Sequence, residues 1–160
     1  DMSWDFGIGT LAWIGFRGGI SLGQTPIRDS DLWSVAGRNS PFLGFFYSPS
    51  AELTLRPTLA IRLKVKYNHA MFLDGPQGEL LGAQPRLRGE LQVFINRDFN
   101  IRHITQWTDY NQELTNDMLL SYTPMPGTVV FAGYRQTDSL DGSAPVERAV
   151  FFKGSLLFDY

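Results

Sequence analysis

Two histidines, His69 and His103, are the only imidazoles of the chain, and with no cysteine present they are where metal chemistry would have to start. Two nitrogen ligands on separate segments, with no acidic cluster beside either, make a poor site, because zinc takes three or four protein ligands. The residue types of a hydrolase triad are all present, yet no glycine-flanked nucleophile elbow marks any serine. "DSLDG" (Asp138 to Gly142) has the acids and glycine of a calcium loop without the alternating oxygen series or the bidentate glutamate, so it reads as a turn. "FRGGISLG" (Phe16 to Gly23) has the glycines of a phosphate loop but neither its lysine nor a following helix, and reads as strand, bulge or close backbone packing. The pattern predicts no catalytic residues, no cofactor and no metal.

The chemistry that the spacing does support is electrostatic. In "IRLKVKYNHAMFL" Arg62, Lys64 and Lys66 alternate with Ile61, Leu63 and Val65. In "RLRGELQVFI" Arg88, Glu90 and Gln92 alternate with Leu91 and Val93, and Arg102 continues the charged set in "NIRHITQW". A two-residue period belongs to a strand, whose successive side chains point to opposite sides. Such strands have one charged and one apolar face, and two environments suit them. A soluble sheet turns the apolar face onto a core, whereas a membrane barrel turns it to lipid and keeps the charges on a wet lumen. The membrane reading makes Arg62, Lys64, Lys66, Arg88, Glu90, Gln92 and Arg102 lumen-facing. It makes Ile61, Leu63, Val65, Leu91, Val93, Phe152 and Leu156 lipid-facing.

The elements that must position these residues are strands throughout. Aromatic residues make up 14% of the 160 residues and glycine numbers 16, a composition that suits strands and weakens helices. No apolar run approaches the ~18 residues of a spanning helix, so passage through a membrane would have to be by strands. A net charge of -2 supplies no global basic field, which sets nucleic acid aside as a partner. The chain opens on Asp1-Met2-Ser3-Trp4 without a cationic segment leading into an apolar one, as expected of a processed chain or of a fragment of a longer protein.

From Arg56 onward the links between strands alternate: "RPTL" short, "DGPQGELLGAQP" long, "NRDF" short, "DYNQELTN" long, "TPMPG" short and "DSLDGSAPV" long. Outer-membrane barrels alternate in this way, with short periplasmic turns and longer outer loops. The last strand then descends to the periplasmic face, and Ile61 to Leu73 rises from it. Before Phe42 the pattern is less regular. "WDFGIGTLAWIGF" alternates from Trp4 to Phe16 except that Leu11 and Trp13 break the polar parity. Consecutive Phe45 and Phe46 put one ring on each face, so at least one side there packs against protein. The total is eight to ten strands.

"AELTLRPTLAIRLKVKYN", "QELTNDMLLSYTPMPGTVVFAGY" and "RAVFFKGSLLFDY" resemble the C-terminal barrel of a group of bacterial envelope proteins. In that group a carbohydrate-binding-like sandwich precedes an outer-membrane β-barrel of unassigned function. The similar stretch runs from Ala51 to Tyr160. The resemblance implies a barrel whose last strand is C-terminal, and it implies no catalytic residues. The final residues are also similar to the barrel-insertion signal of outer-membrane proteins, with Phe158 and Tyr160 as the spaced aromatics and Ser155 where glycine is usual.

The expectation is an all-β, antiparallel up-and-down transmembrane β-barrel, whole or the C-terminal part of a larger one, spanning residues 1–160 as a single domain in a bacterial outer membrane. Its role would be that of a channel, a scaffold or a membrane anchor, with membrane lipids and other envelope subunits as partners. The alternative is a soluble lipocalin-like or β-sandwich module that binds a small apolar ligand or a sugar. Convergence of the apolar set on a dry interior would favour it.

Overall fold

The computed structural model describes residues 2–28, 35–37, 40–76, 78–125, 127–142 and 146–156, without the side chains of 8–10 and 156. Among them lie nine strands: β1 (Met2–Leu11), β2 (Ile14–Ile27), β3 (Phe42–Thr58), β4 (Ile61–Leu73), β5 (Leu80–Phe94), β6 (Phe99–Thr108), β7 (Glu113–Met125), β8 (Thr128–Ser139) and β9 (Glu147–Leu156). They form one sheet in chain order, every neighbouring pair antiparallel. The up-and-down order follows from links too short for a crossover, since strands joined by a few residues pair with each other. After eight reversals β1 and β9 run in the same direction, and they are the two ends of the strand order.

Three sequence expectations need correction. The run from Trp4 to Phe16 is a hairpin and not one strand, turning at Ala12 and Trp13. Leu11 and Trp13 broke the alternation because the chain reverses there and the parity restarts. The link "DYNQELTN" contracts to 109–112, no longer than the 95–98 turn before it, because Glu113 to Asn116 already pair with β6. The links "DGPQGELLGAQP" and "TPMPG" also shorten, since Pro85 lies within β5 and Pro124 within β7. Pro124 is tolerated where the β7–β8 register shifts between Tyr122 and Met125, a bulge that needs no ladder donor. The long links are therefore 28–41, 74–79 and 140–146, all at one end of the sheet; "DSLDG" turns there with Gly142 at φ 71.

The strands are staggered. Ile14, beside the β1–β2 turn, shares its rung with Leu55, Leu63, Leu91, His103, Met118 and Tyr134. On β8 the corresponding turn is six residues further down, at Thr128. Six strands thus shift the turn end by six residues.

Few side chains are enclosed. Ile27 (3% exposed) and Leu81 (6%) are the buried hydrophobic residues among those described. Gly44 is packed against Ile27: a Cβ there would meet Ile27 Cγ1 at 2.7 Å and the Leu73 carbonyl oxygen at 3.0 Å. Gly44→Val is expected to cost about 1–3 kcal/mol through overpacking. Gly154→Ala enters open space and should stay within about 0.5 kcal/mol; urea midpoints of the two variants compare them directly.

Candidate functional site

Strand pairing decides which side chains share a face, because directly paired residues point the same way. Lys64 pairs with Glu90, Lys66 with Arg88 and Arg62 with Gln92, while Gln92 pairs with Arg102. The seven residues assigned to a lumen therefore share one face of three adjacent strands. Ile61 pairs with Val93 and Leu63 with Leu91, and with Val65 they occupy the other face. Phe152, opposite Ala132, reaches that same face through the ladder, and the backbone of Leu156 pairs with Thr128. Phe158 and Tyr160 lie outside the described residues.

The polar face is the concave one. It encloses a cleft of about 680 Å³ near the β1–β2 turn, lined in part by Arg17, Glu52, Arg56, Arg62 and Lys64. A second, of about 410 Å³, is lined by Glu52, Lys64, Lys66, Asn68, Arg86, Arg88, Glu90 and Gln106. Arg17, Glu52 and Arg86 were missing from the sequence-derived set. Arg86 was legible, since it has the parity of Arg88; Arg17 sits among glycines where alternation is silent. Glu52 receives Lys64 Nζ at 3.1 Å. Arg88 lies 3.9 Å from Glu90 and donates to Gln106 Oε1 at 3.5 Å. Further round the same face, Arg135 grips Asp117 with two nitrogens, at 2.5 and 3.2 Å.

The opposite, convex face is apolar and open. Met2, Trp4, Phe6, Phe16, Leu87, Leu91, Met118, Val130, Val150 and Phe152 all lie on it and all are exposed, Phe152 to 78%. Phe6 lies over Gly18 and fills the space a side chain would take. The apolar band ends along a slant. On β2 its first polar outward residue is Gln24; on β8 it is Gln136, which shares a rung with Phe16 through Asn116, Thr105, Gly89, Val65 and Leu53. From Gln24 down to Phe16 is eight residues, so the boundary drops in the same sense as the turn end. Above that boundary the convex face makes its own hydrogen bonds. Tyr134 donates to Gln136 at 2.7 Å, Gln136 to both oxygens of Asp138 at 3.0 and 2.9 Å, and Thr105 to Asn116 at 2.8 Å.

Both histidines are on this face as well, on β4 and β6 with β5 between them, and His69 Nδ1 bonds the Tyr67 hydroxyl at 2.9 Å. No group of three or more metal-binding side chains occurs among the described residues. "FRGGISLG" lies inside β2, where Gly18 and Gly19 admit the Phe6 ring and the Asp5 carboxylate close to the backbone. No family model, curated protein or solved structure matches the chain.

The Glu52–Lys64 pair is partly open to water, with side chains 20% and 34% exposed. A double-mutant cycle with Glu52→Gln and Lys64→Gln should give a coupling of about 0.2–1 kcal/mol, declining as salt is added.

Proposed function

We propose that the sheet is the wall of an outer-membrane β-barrel, with its convex face against lipid and its concave face lining an aqueous lumen, and that it serves as a channel, scaffold or membrane anchor without catalysis. The observation that carries the reading is the distribution of side chains: most charges lie on the face that carries the clefts, which Phe94 and Phe151 share, and most of the large exposed apolar groups lie on the other. In water that arrangement leaves the hydrophobic effect almost nothing to act on, since about 25 cal/mol per Å² is gained only for apolar area removed from solvent. Against lipid the same face is in its own medium. The soluble alternative needs Ile61, Leu63, Val65, Leu91, Val93 and Phe152 in a dry interior, and Leu91 and Phe152 are 39% and 78% exposed.

The slant of the band supports the same reading quantitatively. Eight residues rise ~26 Å and six strand spacings cover ~29 Å, so a band lying level in a membrane tilts the strands by roughly 42°. The six-residue stagger of the turn end gives roughly 35°. Barrel walls tilt by about 35–45°. Strands of 10 to 17 residues match or exceed the 9–11 that a tilted crossing takes. The resemblance of Ala51 to Tyr160 to an envelope barrel points the same way. Because β1 and β9 run in parallel, antiparallel closure takes an odd number of further strands, which favours a wall within a larger barrel.

Absence of native cysteine makes the test direct. Single variants Lys64→Cys, Lys66→Cys and Arg88→Cys, refolded into vesicles, should react with a charged, membrane-impermeant thiol reagent. Leu63→Cys, Val65→Cys and Leu91→Cys should be protected until detergent is added. Equal labelling of both sets in vesicles would overturn the proposal. In the same system Leu63→Arg should weaken insertion by about 2–4 kcal/mol if it lies near the bilayer midplane.

A further inference from the structure

The concave face is not evenly charged. Between β4 and β6 it carries Arg62, Lys64, Lys66, Arg86, Arg88 and Arg102, against Glu52 from β3 and Glu90 from β5. Glu52 is the strand partner of Lys66, yet its oxygen meets Lys64 at 3.1 Å, and Glu90, the strand partner of Lys64, lies 3.9 Å from Arg88. Among the described residues no carboxylate lies within ion-pair distance of Arg62, Lys66, Arg86 or Arg102. The register makes this costly. Lys66 stands directly opposite Arg88, and Arg86 follows two positions along, opposite Asn68. Like charges directly opposed on neighbouring strands destabilise a sheet. The 410 Å³ cleft opens over this cluster, with Asn68 and Gln106 as neutral neighbours.

We propose that this cleft binds a phosphate-bearing solute, with Lys66, Arg86 and Arg88 as its donors. Two guanidinium forks and an ammonium match the tetrahedral oxygens of phosphate, where arginine adds bidentate geometry to charge. Bound phosphate cancels the Lys66–Arg88 repulsion, so binding and stability are linked: a ligand held by the folded state alone raises its stability. A residue that opposes folding in the empty protein is then the residue that recognises the ligand. The site needs the cleft and not the bilayer, so it stands apart from the membrane role.

The test is a calorimetric titration of the full chain with inorganic phosphate at low salt, in detergent or in plain buffer, whichever keeps the chain dispersed. Wild type should bind saturably, and Lys66→Gln should bind at least tenfold more weakly. Arg135→Gln, at the other side of the face, should bind as wild type does. Without phosphate, Lys66→Gln should melt at a higher temperature than wild type, and phosphate should raise the melting temperatures of wild type and Arg135→Gln more than that of Lys66→Gln. The proposal is overturned by the absence of saturable binding, by equal loss in Lys66→Gln and Arg135→Gln, or by a lower melting temperature of Lys66→Gln without phosphate. Dispersal in plain buffer as a monomer would count against the membrane role and leave this measurement intact.

Discussion

Main-chain hydrogen bonding between consecutive strands is the interaction on which everything else in this molecule depends. A soluble domain stacks at least two layers so that each covers the apolar side of the other. Here nine strands make a single layer, and the described side chains bury only Ile27 and Leu81 as hydrophobic residues. The ladder must therefore hold positions that packing holds elsewhere. It does so strand by strand, as the unbroken register of Arg86 to Phe94 with Asn100 to Thr108 illustrates. It also leaves the edges β1 and β9 with one neighbour each, and an open edge invites further strands.

From that constraint the two-faced chemistry follows. A ladder fixed in register fixes the parity of every side chain, and a slip of one residue would put Lys64 and Lys66 among Leu63 and Val65. The stagger adds a second condition. Because each strand starts about one residue lower than the last, a level apolar band has to shift along the sequence by the same amount. The band does shift, from a boundary at Gln24 on β2 to one at Gln136 on β8, and the turn end shifts with it. Where chains turn and where the apolar residues stop thus shift in the same sense across the sheet, by six and by eight residues from β2 to β8.

The existence of the strands from β3 onward was legible while their ends at Leu80 and Glu113 were not, and Ile61 to Leu73 reads as a strand from spacing alone. Lys64 and Glu90 were each legible as residues of a charged strand face, while the long 74–79 link between their strands left their pairing open. The β1–β2 hairpin was hidden because its turn, Ala12–Trp13, contains none of the glycine, proline, asparagine or aspartate that usually marks a reversal. Pro85 misled for the opposite reason, since it marks a break locally and yet lies in a strand held from both sides. What no one-dimensional pattern contains is register across strands. That Lys66 faces Arg88 and not Glu90 depends on the length of the 74–79 link and on the shift between Phe72 and Leu73.

The ion pairs of the concave face do not hold the sheet together. Lys64 with Glu52 and Arg88 with Glu90 are partly solvated, and Coulomb attraction between such groups is offset by hydration and by side-chain entropy. The register that brings them together is set by the backbone, which would be the same with neutral side chains in their places. A face whose charges contribute little to folding has no structural reason to place Lys66 opposite Arg88. In the proposed site a bound anion offsets the opposed cations, and the fold can bear their repulsion because its stability resides in the ladder.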